Sequence, residues 1–303
     1  MGLSLTRVIK NPSLLYVYAS KYCDFKWIND ETHLKLLYKG CFGRKLNLED
    51  PQLFNEKLQW LKIHDRKPQY IQLVDKYEVK KYIAEKLGEE YIIPTLGVWE
   101  DANDIDFDKL PERFVLKCTH DSHSIVICTD KNKLDIEKSK RNLNKALKRN
   151  YFYDGRQWPY KGVKPRIIAE AYMEDSFGEL RDYKFTCFDG KVDNVMLCYD
   201  RASGDTKFYF FSPEWKLLRI NKRGLTAPED FSIPKPENMD EMFRIAGLLS
   251  QGIPYARVDL YNINGKIYFG EITLYPQSGF DTNLLKETDK DFGRKIDLSK
   301  VKC

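Results

Sequence analysis

Residues 257–280, RVDLYNINGKIYFGEITLYPQSGF, carry the reading on which the fold turns. From Arg257 to Tyr261 polar and apolar side chains alternate, Asn262 to Gly265 has a turn composition, and Lys266 to Leu274 resumes as a strand. That pattern is a β-hairpin. Asp259 and Glu271 stand inside its strands, where acids, Asp above all, are poorly favoured. The turn places them on neighbouring strands, and two close carboxylates repel unless a divalent cation or a shared proton lies between them. All-oxygen ligands favour magnesium, which takes one or two carboxylates and fills its shell with water and phosphate. The hairpin therefore points toward a nucleotide triphosphate.

Working outward, the segment before the hairpin, PENMDEMFRIAGLLSQG, reads as a helix, and RIIAEAYM, DYKFTCFDGKVDNVMLCYD and KFYFFSPEWKLLRI read as strands. Further upstream come a short strand in YIIPTLGVWE, two strands joined by a polar turn in RFVLKCTHDSHSIVICTD, and a basic helix in KNKLDIEKSKRNLNKALKRN. The loop YFYDGRQWPYKGVKP is long and aromatic enough to suggest a lid or a substrate loop. The first quarter is helical. Asn29 and Asp30 offer caps, Gly40 a stop, and Phe54, Leu58 and Leu61 share one face; YIQLVDKYEVKKYIAEKLG reads as one continuous helix ending at Gly88. A largely antiparallel block of strands after mixed elements implies an α+β architecture. No GxGxxG or GxxxxGK[ST] occurs, so the standard dinucleotide and P-loop sites are not supported.

The chain has 303 residues, 42% hydrophobic, 31% charged and 14% aromatic, with a formal net charge of +5 spread along its length. This composition is that of a globular protein with a sizeable core. No apolar run reaches the length of a membrane helix and the first residues lack a signal-peptide pattern, so a cytoplasmic location is expected, with peripheral membrane contact left open. The seven cysteines form no CxxC pair and read as small core residues rather than as disulfides or metal ligands. The basic helix comes with no nucleic-acid reader module and reads as a solvated face.

Several further residues carry possible chemistry. Lys117 interrupts an apolar strand, so its ammonium either snorkels to solvent or points into a cleft. The following turn, THDSHS, could donate to phosphate oxygens or be an ordinary hairpin turn. Asp182 and Lys184, two apart on a strand, share a face and could pair across strands.

In this order the motifs resemble the ATP-grasp superfamily. LNLEDPQLFNEKLQWLKIHDRKPQY, LVDKYEVKKYI, RFVLKCTHDSHS, RDYKFTCFDGK and FGEITLYPQSGF are similar to the TupA-like (teichuronopeptide biosynthesis) ATP-grasp family, over about Leu34 to Asp281. The resemblance implies two α+β subdomains clasping a nucleotide, a smaller one at 71–173 and a larger one at 174–303, behind a helical region at 1–70. It also implies ATP and Mg²⁺ as cofactors. Lys76 and Lys117 would contact the phosphates. Residues 119–124, with Thr119, His120, Ser122 and Ser124, would form the phosphate loop, and residues 170–173, with Glu170, Ala171 and Met173, would be the adenine hinge. Asp182 would lie near the ribose, Lys184 near the phosphates, and Asp259, Glu271 and Thr273 at the metal. Two departures stand out: His123 and Ser124 replace the usual loop glycines, and Thr273 replaces an Asn. Arg201 is a candidate clamp for an acylphosphate or a substrate carboxylate, or else a surface ion-pair partner.

The implied activity is ligation of a carboxylate to an amine through an acylphosphate, in bacterial surface polysaccharide or teichuronopeptide assembly, with small-molecule or glycan substrates. A glycosyltransferase holding its metal on Asp259 and Glu271, or on Asp106 and Asp108, is the alternative, followed by a non-catalytic nucleotide-binding protein. Oligomeric state is not legible.

Overall fold

The structure is a computed structural model that describes residues 8–9, 11–175, 180–199 and 207–301. Two antiparallel sheets organise it. The four-stranded sheet has the order β1-β4-β2-β3, with β1 at Thr95–Trp99, β2 at Phe114–Cys118, β3 at Ile125–Cys128 and β4 at Ile167–Ala171. The six-stranded sheet has the order β10-β9-β5-β6-β7-β8, from β5 (Asp182–Phe188), β6 (Lys191–Tyr199), β7 (Lys207–Phe211), β8 (Leu217–Leu218), β9 (Ala256–Ile263) and β10 (Lys266–Thr273). The α+β reading is thus correct. Among the described residues no helix is long and apolar enough to cross a membrane.

The hairpin forms as the sequence implies. Asn264 and Gly265 have φ of 52° and 85°, and Ile263 pairs with Lys266, which is the two-residue turn whose twist matches its strands. One face of the large sheet is core: Phe185, Val195, Leu197, Phe211, Val258 and Leu260 are buried there. The helix Met239–Leu249 packs on this sheet and buries Met242, Ile245, Ala246 and Leu249.

Three local expectations are corrected. The helix expected through VDK is two helices, Gln69–Val74 and Val79–Lys86. Asp75 leaves the helical region at ψ 116°, and its Oδ1 accepts from the backbone N–H groups of Tyr77 and Glu78, as Asp favours where it competes with a helix. Gly40, expected as a stop, lies inside the helix Asp30–Phe42; Gly43, at φ 70°, ends it. The aromatic loop is no free lid here. It folds into a helical turn at Phe152–Gly155 and a 3-10 segment at Trp158–Gly162, and buries Phe152, Arg156 and Gln157. Arg156, 1% exposed, donates to the Phe25 and Tyr153 carbonyls at 2.9 and 3.0 Å, which ties the loop to the N-terminal helices.

Candidate functional site

The face of the large sheet opposite the core carries a polar row. Strand pairing aligns Glu271 with Asp259, Asp259 with Lys184, Lys184 with Met196, and Met196 with Phe210. One flanking row aligns Thr273 with Arg257 and Arg257 with Thr186. Simple alternation along β10 would not give this arrangement, because Ile267 and Phe269 face the core and Glu271 is in phase with them. Gly270 resolves the conflict. The register shifts between Phe269 and Glu271, so Gly270 is the extra residue of a β-bulge, and beyond it Glu271 and Thr273 face the site while Ile272 and Leu274 face the core.

Within the row the charges are tightly matched. Arg257 grips Asp259 with both arms, Nε to Oδ1 at 2.7 Å and Nη2 to Oδ2 at 2.8 Å. The same Nη2 reaches Glu271 Oε1 at 2.7 Å and Thr273 Oγ1 at 3.0 Å, and the threonine hydroxyl donates to Glu271 Oε1 at 3.2 Å. Lys184 bridges Asp182, at 2.5 Å, and Asp259. Sequence reading identified the two acids and missed the guanidinium between them. Its signal was present, since Arg257 lies two residues from Asp259 and must share its face.

The two carboxylates are set apart electrically. Burial pushes the Asp259 carboxyl up to about 7, against the opposing pull of Arg257 and Lys184. For Glu271 burial acts in the same direction, but Arg257, Lys184 and Lys76 outweigh it and hold the carboxyl down at about 2. Glu271 still has 42% of its side chain open, against 2% for Asp259. Among the described residues no group of three or more acidic, histidine or cysteine side chains is gathered to cage a metal. Two carboxylates and a hydroxyl on one face nevertheless fit a magnesium ion that shares its shell with phosphate oxygens. Of these, Glu271 is the more accessible ligand, because both Asp259 oxygens are engaged by Arg257 and Lys184.

The small sheet and the two helices before it supply a second set of cations. The helix break at Asp75 turns Lys76 inward: its N–H donates to the Thr119 carbonyl at 3.2 Å and its ammonium to the Asp121 carbonyl. Burial lowers the Lys76 pKa, with Glu271 and Asp121 opposing. Lys117 pairs with Glu170, which also binds Lys80 at 2.6 Å. Glu170 is buried, yet Lys117 and Lys80 together hold its pKa below the ordinary value despite burial. Thus the Glu170 side chain neutralises two lysines, a role that its placement in the adenine hinge did not imply, and Lys80 is a neighbour the sequence reading missed. Lys76, Lys80, Lys117 and Glu170 face Phe269 and Gly270 of β10 across a cavity of about 10 Å³, so the two sheets meet here.

The other expected residues are distributed unevenly. Ser122 is exposed at the tip of the β2–β3 turn, and Ser124 donates to Asp121. His123 adopts φ 82°, a left-handed backbone that glycine would take without strain. Thr119 is buried and bonds the Lys164 carbonyl at 3.3 Å. The His120 ring lies against the carbonyls of Ala146 and Arg149 at 3.2 and 3.1 Å and so braces the end of the basic helix. Ala171 ends β4 and bonds the Pro94 carbonyl, and Met173 follows in the half-buried segment after it. Arg201 lies outside the described residues. Asp106 accepts from the Asp108 N–H and caps a surface 3-10 turn.

A family model described as TupA-like ATPgrasp matches residues 56–297. No curated protein matches the chain. Among solved structures the chain is similar to the D-alanine–D-alanine ligase from Bacillus anthracis complexed with ATP, at 17% identity and TM-score 0.46 over 76% of this chain. It spans 65% of that ligase's length. It is also similar to the ATP-grasp ligase PsnB complexed with a phosphomimetic variant of its minimal precursor, Mg and ADP, at 11% identity and TM-score 0.45, covering 94% of this chain and 74% of that one.

Proposed function

This chain belongs to the TupA-like ATP-grasp family, and from that premise we propose that it is an ATP-dependent carboxylate–amine ligase acting in surface polysaccharide or teichuronopeptide assembly. A substrate carboxylate oxygen attacks the γ-phosphorus of ATP, the bond to the β-phosphate oxygen breaks, and ADP leaves. An amine then displaces phosphate from the acylphosphate and gives the amide. The observation that carries this reading is the row Glu271–Asp259–Lys184 beside Arg257, where acids and cations are gathered on the face of the large sheet opposite Phe185, Val258 and Leu260.

Lys76 and Lys117 would contact the phosphates of a nucleotide bound between the sheets, with Lys80 beside Glu170 as their neighbour. Such transfer needs little covalent help from the protein and much positioning and charge stabilisation. Lys184 and Arg257, both strengthened as cations by Asp259 and Glu271 despite burial, remain charged through catalysis and steady the transferred phosphoryl group. Glu271 and Asp259, with the Thr273 hydroxyl beside them, would hold magnesium, which supplies further neutralisation of the phosphate oxygens. Arg257 orients Asp259 and Glu271 by its hydrogen bonds to both.

The test is a thermal-shift series followed by trapping. Mg²⁺ with ATP should stabilise the protein where Mg²⁺ with a sugar nucleotide does not. Hydroxylamine, used as the amine with a panel of carboxylates, should yield hydroxamate and ADP in equal amounts. Stabilisation by the sugar nucleotide alone would replace the ligase reading with the glycosyltransferase one.

A further inference from the structure

The polar row continues into a cavity of about 470 Å³ that Lys184 and Arg257 border at one side. Its floor is apolar, with Met196 of β6 and Phe210 of β7 continuing the line of Lys184 across the sheet. Beyond β7 stands the turn that carries Asn221, Lys222 and Arg223. That turn is built firmly: buried Asn221 donates to the Phe208 carbonyl at 3.0 Å and accepts the Gly224 N–H at 2.9 Å, while the Lys222 N–H donates to the Asn283 carbonyl at 3.0 Å. The opposite rim is Pro276 and Gln277.

That rim is strained and held in place. Gln277 and Ser278 have φ of 49° and 51°, a conformation that non-glycine residues keep only where neighbours over-determine it, most often at ligand sites. Here the neighbours are the fully buried Lys62, which donates to the Ser278 carbonyl at 2.7 Å, Gln157, which donates to Ser278 Oγ at 2.8 Å, and Gln59, which donates to the Gly279 carbonyl at 2.6 Å.

The charges along the cavity are uneven. Lys184 and Arg257 are already matched by Asp182, Asp259 and Glu271. Lys222 is exposed and forms no ion pair among the described residues, and the one carboxylate in the lining is Asp281. We propose that this cavity binds a substrate with two anionic groups, the reacting carboxylate beside Lys184 and a second anion at Lys222, joined by a body that crosses Met196 and Phe210. Two strand spacings separate β5, which carries Lys184, from β7, and Lys222 stands beyond β7, so the anions stand at least about 10 Å apart. The proposal rests on the ligase reading.

Suberate, with a carboxylate at each end of eight carbons, and octanoate, with one, are the probes, assayed by hydroxamate and ADP formation with Mg²⁺, ATP and hydroxylamine. Suberate is expected to exceed octanoate in kcat/KM by about ten-fold, the worth of one charged hydrogen bond. Lys222→Ala should bring suberate down to the octanoate level and leave the stabilisation by Mg²⁺ and ATP unchanged. A third probe, 6-phosphohexanoate, identifies the second anion: preference over suberate makes it a phosphate, and the reverse a carboxylate. Equal turnover of suberate and octanoate, or a suberate preference that survives Lys222→Ala, overturns the proposal while the ligase reading stands. Absence of any stabilisation by Mg²⁺ and ATP in the unsubstituted protein defeats the ligase reading itself.

Discussion

Asp259 is a carboxylate with 2% of its side chain exposed, and its buried position depends on Arg257 and Lys184. Removing one partner of such a pair leaves an uncompensated charge, which costs about 3–5 kcal/mol. Arg257→Ala should therefore lower the denaturation midpoint strongly in urea, and pairing it with Asp259→Asn should restore much of the loss. An Arg257→Ala protein as stable as the parent would mean that the guanidinium does not support Asp259. At this scale the sequence was partly readable. The two acids announced themselves because acids are rare in strands, whereas Arg257 entered only as the first polar residue of the alternating strand. His120 shows a different limit: composition marks THDSHS as phosphate-friendly, but where its ring lies, against the Ala146 and Arg149 carbonyls, depends on the helix packed behind the turn.

Among the elements, β10 shows how one residue sets a site. Gly270 is the bulge, and a Cβ there would lie 3.0 Å from the Asp259 carbonyl oxygen and 3.1 Å from the Tyr261 ring. Gly270→Val is expected to cost about 1–3 kcal/mol through overpacking, and to slow ADP formation as Glu271 is displaced. Gly265→Ala, in the turn of the same hairpin at φ 85°, should cost about 1–2 kcal/mol and leave kcat unchanged. Stability from urea unfolding, measured beside steady-state ADP release, separates the two; an unchanged rate in Gly270→Val would deny the bulge its role in placing Glu271. The hairpin and its NG turn are local features and were legible. Other element-level features were not: an isolated strand glycine suggests a bulge without saying which side chains it turns, and the break at Asp75 hides inside a strong helical pattern, its side chain capping Tyr77 and Glu78 while Arg166, far along the chain, lies 2.8 Å from Asp75 Oδ2.

Across the whole molecule, two sheets and the N-terminal helices enclose charged groups whose environments depend on the complete fold. His33 is fully buried, 2.6 Å from the Tyr16 hydroxyl through Nδ1, and burial, aided by Arg156, lowers its pKa to about 4. The unfolded chain binds this proton near the ordinary 6.5, so folding is favoured above that pH. The contribution is lost as pH falls from about 6.5 toward 4, at no more than about 1.4 kcal/mol per pH unit. His33→Gln should flatten stability in that window, as followed by thermal melts from pH 4 to 7; an unaltered slope would place the titration elsewhere. The cavity beside Lys184 belongs to this scale as well. Its walls come from residues 54 to 292, so no single stretch of sequence discloses it. The motif order disclosed the family because each motif is local, and the family model agrees over residues 56–297.

In the proposed reaction, phosphoryl transfer from ATP takes place on the open face of the large sheet with Glu271 as the accessible magnesium ligand. Its most direct measurement is ADP formation by Glu271→Gln with Mg²⁺ and ATP, beside a thermal melt of the same protein. The expected result is a protein that still melts cooperatively, at a temperature lowered by loss of the Arg257–Glu271 ion pair, and a rate reduced by about a hundred-fold or more, the scale on which lost charge stabilisation of a transition state is felt. Turnover at the parent rate would contradict the assignment.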